Sequence, residues 1–306
     1  MVALVFPGQG SQYVGMGKDL ADAFPAARQT FEEADQVLGA SLSRIMWEGP
    51  EEELTRTHNA QPAILVHSMA VHRVLAERLP AIKFAAGHSL GEFSAYVAAG
   101  AMSFADAVRT VRRRGELMFN AGQERPGTMA AILGMEDAEL ERVCLEASSR
   151  GGEVVPANYN APGQLVISGD VPSVQIAMAL ARENGAKKAV QLNVSGAFHS
   201  PLMMPAEAGL RVQLDDVAMH APRFPVVSNV TAQPVSDIVD ARRLLIEQLT
   251  SPVRWTACVR TMIDQGVTEL IELGPGSVLT GLMKRIDKAA RARAVGKAEE
   301  VNAWQS

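Results

Sequence analysis

The sequence predicts an α/β protein in two parts. A large unit carries a mostly parallel sheet covered by helices, and a small ferredoxin-like subdomain is inserted into it. Three observations lead there. Short apolar runs ending in glycine- or proline-rich turns alternate with helix-period stretches at both ends of the chain. The middle reads β-α-β-β-α-β within about 70 residues. The stretch "AAGHSLGEFSAYVAAG" (85–100) sets a serine, Ser89, between two glycines where a strand turns into a helix.

Taken in order, "VALVF" (2–6) is an apolar run stopped by "PGQG", a buried strand entering a loop. A helical stretch follows, then a long helix over 61–79. "KFAAG" (83–87) is a strand leading into Ser89, with helices over 90–99 and 103–121. In the middle, "TMAAILG" (128–134) is a strand and 135–150 a helix. "EVVPANYN" and "QLVISG" (164–169) are strands joined by the turn "APG", followed by a helix over 171–185 and a strand over 187–194. The α/β pattern then returns: a helix after "FHSP", the strand "FPVVSN" (224–229), helices across 240–249 and 253–265, and the strand "TELIELG" (268–274). "GPGSVLTGLMKRI" opens a last helix. The resulting division is 1–125 with 196–288 for the large unit and 126–195 for the insert, leaving 289–306 as a basic, alanine-rich tail expected to fray.

Composition narrows the classes of function. At 306 residues the chain can bury a substantial core, and 47% hydrophobic with 21% charged residues is ordinary for a soluble protein. A net charge of −5 offers no global attraction to nucleic acid or an anionic membrane. No apolar run reaches the roughly 18 residues that cross a bilayer, and the start lacks a signal-peptide pattern, so a cytoplasmic protein is expected. The two cysteines, Cys144 and Cys258, lack the spacing of a disulfide framework or a metal cage.

Strand, G-x-S-x-G, helix is the context of a nucleophile elbow, so the large unit is read as α/β-hydrolase-like with Ser89 as candidate nucleophile. The bland alternative is a serine that caps the following helix. An attacking hydroxyl needs a base within hydrogen-bond reach. Of six histidines, His67 and His72 lie in a predicted helix, and His58 and His220 in polar connections. His88 adjoins Ser89, but neighbours at a sharp turn point different ways. His199, in "NVSGAFHSP", stands where the insert ends and the large unit resumes. It can face a cleft between the two parts, or simply cap the helix that Pro201 starts. "RTVRRRGELM" holds Arg109, Arg112, Arg113 and Arg114, and periodicity selects none of them.

"FPGQGSQ", "GHSLGEFSA", "RRGELM", "GAFHS" and "ELGPGSVLTGLMKRI" stand in the order and spacing of the malonyl-CoA:acyl-carrier-protein transacylases of fatty acid and polyketide synthesis. The chain resembles that family from Val2 to about Ile286. The resemblance implies a Ser-His dyad of Ser89 and His199, the histidine being oriented by a backbone carbonyl at the position of Gln248. It implies an oxyanion hole from the N–H groups of Gln9 and Leu90, two donors of about 3 kcal/mol each. It assigns Arg114 to the substrate carboxylate, which a guanidinium grips in a two-point fork. Gln61 and Asn160 match cleft positions, although Gln61 could instead cap a helix begun by Pro62, and Asn160 could shape a turn. Phe198, before the histidine, goes in related acyltransferases with malonyl; a smaller serine goes with methylmalonyl.

The implied reaction is ping-pong transfer of malonyl from CoA to the phosphopantetheine thiol of an acyl carrier protein, without metal or redox cofactor, by a protein expected to be a monomer. Lys187, Lys188, Lys284 and Arg285 are candidate contacts for the acidic carrier, with Arg291 and Arg293 as further cations. Two other readings share these residues: a serine hydrolase, whose acceptor is water, and a non-catalytic carrier-protein scaffold.

Overall fold

A computed structural model describes residues 1–304 of the chain. The strands are β1 (Val2–Phe6), β2 (Ile82–Gly87), β3 (Gly127–Leu133), β4 (Val154–Ala161), β5 (Gln164–Asp170), β6 (Lys188–Gln191), β7 (Val226–Val227), β8 (Pro234–Val235), β9 (Glu269–Leu273) and β10 (Arg291–Val295). Helices α1 (Lys18–Ala23), α2 (Pro25–Leu38), α3 (Leu42–Glu48), α4 (Glu51–Thr55) and α5 (Thr57–Leu75) lie between β1 and β2. Then come α6 (Gly91–Ala98), α7 (Phe104–Glu124), α8 (Asp137–Ser148), α9 (Val171–Glu183), α10 (Met204–Asp215), α11 (Ile238–Glu247), α12 (Trp255–Asp264), α13 (Val278–Ile286) and α14 (Ala298–Asn302).

The large sheet runs β10-β9-β1-β2-β7-β8. Its pairs are parallel except for β7 with β8. β1 lies between β9 and β2, which explains why "VALVF" shows no polar alternation: Leu4 and Phe6 enter the core on one face, Ala3 and Val5 the core on the other. The small unit is an antiparallel sheet in the order β4-β5-β3-β6, covered by α8 and α9 around its own core of Ile132, Leu140, Ile167 and Val174. The chain succession β3-α8-β4-β5-α9-β6 is the β-α-β-β-α-β one read from the sequence. The small sheet touches the large unit through β4, where Asn158 bridges Val253 and the Tyr159 N–H donates to the Val253 carbonyl at 2.9 Å.

Three sequence expectations need correction. The long helix does not begin at Pro62; α5 starts at Thr57 and holds Pro62 inside it. A proline there has no N–H for the carbonyl four residues earlier, that of His58. The Arg112 Nη1 from α7 donates to that carbonyl at 3.0 Å instead. The segment after Lys288 is not frayed, at least to Trp304. β10 completes the sheet edge beside β9, with Arg291 exposed and Val295 buried. Arg293 pairs with Glu269 at 2.7 Å and stacks 4.1 Å over the Trp304 ring. Alternating arginines on an edge strand read, in one dimension, as a solvated run; in the fold they are the outward half of a strand. Residues 305 and 306 of that expected tail lie outside the described residues. The strand expected over 224–229 is also shorter: it ends at Val227, and Asn229 turns out of it to bond the elbow.

Candidate active site

The site is built at the carboxyl end of β2, where an open parallel sheet presents its loops. β2 turns into α6 in three residues, and the two flanking glycines make that possible by absence of a side chain. A Cβ on Gly87 would run into the backbone of Gly91 and Glu92, and one on Gly91 into the Phe6 carbonyl of β1. Ser89 itself takes a left-handed backbone, φ 51°, a costly conformation for a residue with a Cβ. It is held there by Asn229: the Ser89 N–H donates to Asn229 Oδ1 at 2.7 Å, and Asn229 Nδ2 donates to the Gly87 carbonyl at 2.7 Å.

His199 sits in the chain that returns from β6 to the large unit, and it too is left-handed, φ 57°. Its Nε2 stands 2.8 Å from Ser89 Oγ. Its Nδ1 is 2.9 Å from the Gln248 carbonyl, which can only accept, so Nδ1 carries the proton and Nε2 is left to accept from the serine hydroxyl. Burial, helped by the nearby Arg114 charge, pushes the imidazole down to about 3, so the ring is neutral at ordinary pH and fit to take a proton.

Arg114 is fully buried on α7. Its Nη1 donates to Gln61 Oε1 at 2.8 Å; its Nη2 donates to Gln248 Oε1 at 2.9 Å and to Ser89 Oγ at 3.2 Å. No carboxylate pairs with it among the described residues, and its Nε has no hydrogen-bond partner there. Burial lowers the guanidinium to about 10, the Glu92 carboxylate acting in the opposite sense. A cation kept this far from water with only neutral acceptors is poised for an anion from outside. Of the other three arginines of the run, Arg109 faces outward to Asp106 and Arg113 to Glu116, while the half-buried Arg112 pairs with Glu116 and reaches α5.

A cleft of about 600 Å³ opens between the two units above Ser89. Gln9, Leu90, Gln61, Asn160 and Phe198 all line it. The N–H groups of Gln9 and Leu90 have no acceptor among the described residues. Asn160 is engaged, its Oδ1 lying 2.8 Å from His88 Nε2, which turns His88 away from any role as base. Gln248 does more than offer its carbonyl. Its side chain bridges Arg114, the Ser89 carbonyl at 3.1 Å and Glu92 Oε2 at 2.7 Å. Sequence reasoning missed Glu92 and Asn229. The available signal for Glu92 was the lone charge in α6, whose other residues are apolar apart from Ser94 and the Tyr96 hydroxyl; for Asn229 there was none.

An acyl transferase domain model matches residues 3–304. The chain belongs to the acyl transferase family. Its relatives span the same length. A malonyl CoA-acyl carrier protein transacylase of Bacillus subtilis is 49% identical over 300 residues, 98% of this chain and 95% of that one. The crystal structure of an acyl carrier protein S-malonyltransferase from Vibrio cholerae superposes with a TM-score of 0.95 at 45% identity, covering 99% of both chains. A complex of a type II polyketide synthase acyl-carrier protein with its malonyl-transacylase gives 0.95 at 45% identity, covering 99% of this chain and 98% of that one. Across this acyl transferase, no helix among the described residues is long and apolar enough to cross a membrane.

Proposed function

We propose that the protein is a malonyl-CoA:acyl-carrier-protein S-malonyltransferase. The observation that carries this reading is Arg114, a buried guanidinium with no carboxylate partner among the described residues, whose Nη2 lies 3.2 Å from the hydroxyl of a Ser-His pair. An acyl group with a free carboxylate two bonds from its reacting carbonyl would span that distance, with its carboxylate in the guanidinium fork. The names of the relatives point to the same substrate and to a carrier protein as partner.

In the first half-reaction Ser89 Oγ attacks the thioester carbonyl as His199 Nε2 takes its proton. The oxyanion is received by the Gln9 and Leu90 N–H groups, a contribution of about 3 kcal/mol for each donor. The C–S bond breaks, and the CoA sulfur leaves with the proton from His199. In the second half-reaction the carrier's phosphopantetheine thiol gives its proton to His199 and attacks the Ser89 ester, and Ser89 recovers the proton. Every proton and electron pair is then accounted for, and no step calls on a metal or a redox cofactor. The left-handed backbones of Ser89 and His199 serve the same end, since both side chains are aimed before substrate arrives. A single copy working in the cytoplasm completes the reading. Lys187, Lys188, Lys284 and Arg285 remain its carrier contacts, although Arg285 already donates to the Pro162 carbonyl at 3.2 Å.

The test is intact-protein mass after brief mixing with malonyl-CoA. One malonyl increment is expected on the parent and none on Ser89→Ala, with the increment removed by adding the thiol-bearing carrier. Steady release of CoA without carrier and without a lasting increment means that water is the acceptor and the protein a hydrolase.

A further inference from the structure

Glu92 lies one helical position beyond the elbow, fully buried, and takes no direct part in the reaction above. Its Oε2 accepts from Gln248 Nε2 at 2.7 Å and from the Asn229 N–H at 3.1 Å. Its Oε1 has no hydrogen-bond partner among the described residues. Gln248 in turn holds His199 by its carbonyl and Arg114 by its Oε1, and Asn229 holds the Ser89 N–H. Nucleophile, base and carboxylate-binding cation therefore hang from one carboxylate oxygen, each at one remove.

We infer that Glu92 is a positioning residue for malonyl transfer, fixing the Gln248 amide so that Arg114 and His199 keep their places around Ser89. The inference rests on the malonyl reading above. Three observations favour this role over plain packing. A buried carboxyl whose second oxygen is unpaired costs stability that a hydrophobic side chain of similar volume would not. The amide of Gln248 is free to turn over unless its two ends meet different partners, and Glu92 is the nearer of the two acceptors at the NH₂ end, at 2.7 Å against 3.1 Å for the Ser89 carbonyl. That choice leaves Gln248 Oε1, an acceptor, facing the Arg114 guanidinium; the opposite choice would set NH₂ against a cation. In its ionised form Glu92 also sets up a field that favours the charged form of Arg114.

The test compares Ser89 acylation by malonyl-CoA and by acetyl-CoA, read as intact mass, in the parent and in Glu92→Met, Glu92→Asp and Glu92→Gln, with thermal midpoints alongside. Glu92→Met fills the space and removes the acceptor. It is expected to lower malonyl loading about tenfold or more relative to acetyl loading, since only malonyl uses Arg114. Glu92→Asp keeps the charge but falls a methylene short, and is expected to lose the preference too. Glu92→Gln keeps the reach and one accepting oxygen, and is expected to rescue the malonyl-to-acetyl ratio to within about threefold of the parent. A packing role would lower both loadings with the thermal midpoint and leave the ratio alone, and that result overturns the inference. So does Glu92→Gln losing the preference as fully as Glu92→Asp, a comparison that stands even if Glu92→Met does not fold. A parent that takes no malonyl overturns the functional reading and this inference with it. A parent that loads, with parental ratios in all three variants, overturns the inference alone.

Discussion

The Arg114 guanidinium and the Ser89 hydroxyl touch, Nη2 to Oγ at 3.2 Å, although they come from α7 and from the turn after β2. The same Nη2 is braced by Gln248 Oε1, and Nη1 by Gln61 Oε1. Affinity for a charged acyl group and the chemistry on it are thus fixed within one hydrogen-bond network. This proximity also bears on the base, since the Arg114 charge helps keep His199 neutral.

Replacing Arg114 by Ala should reduce malonyl loading by about 2–5 kcal/mol in transition-state binding, roughly thirtyfold to a few thousandfold. Loading by acetyl-CoA should fall far less. Arg114→Lys should not restore malonyl, because an ammonium offers a point charge without the planar fork and cannot reach Gln61 and Gln248 together. Rates of single-turnover acylation by the two thioesters measure this directly.

Phe198 is buried beside His199 and lines the cleft. A methyl branch on the acyl group should meet its ring. Phe198→Ser should raise the methylmalonyl-to-malonyl loading ratio by about 1–3 kcal/mol, the usual range for one methyl group in a pocket. A parent protein that loads both thioesters at similar rates would contradict this role for Phe198.

Stability should depend on pH through buried histidines. Burial pushes His67 down to about 4 and His199 to about 3, from an ordinary 6.5. Below pH 6.5 the unfolded chain takes up protons that the folded one refuses, so their contribution is present above 6.5 and lost as pH falls toward the folded values. Glu92 acts the other way: burial raises it from 4.5 to about 7, so its contribution is present below 4.5 and lost as pH rises through 7. Between pH 6 and 4.5 each histidine should weaken the fold by about 1.4 kcal/mol per pH unit. Denaturant midpoints across that range should fall less steeply for His67→Gln than for the parent.

The C-terminal segment should be structural. Trp304 is nearly buried, its Nε1 donates to the Arg78 carbonyl at 3.2 Å, and Arg293 stacks on its ring. Trp304→Ala should cost about 3 kcal/mol or more by chemical denaturation. An unchanged midpoint would mean that β10 and α14 contribute little to the fold.

Features carried by neighbouring residues were legible in the one-dimensional chain. The period of the apolar residues set out the parallel core strands and the β-α-β-β-α-β insert, because burial on one or two faces imposes its own spacing. The elbow was legible because Gly87 and Gly91 flank Ser89 at the distance a close strand-helix approach requires. Arg114, Gln248, Gln9 and Leu90 came from resemblance; no periodicity separates Arg114 from Arg113. Where polar groups a hundred or more positions apart meet, local pattern carries no signal. Glu92 and Asn229 are 137 positions apart and join at 3.1 Å. The same holds for β10, whose arginines look like surface charge until β9 supplies the partner strand and Trp304 the stacking ring. Sequence by itself therefore determined most of the elements, the insert and the nucleophile's turn, all products of local sterics and burial period. The tautomer of His199, the lack of an ion-pair partner for Arg114 among the described residues and the Glu92 node came only with folding, because each depends on which buried polar groups find partners across the chain.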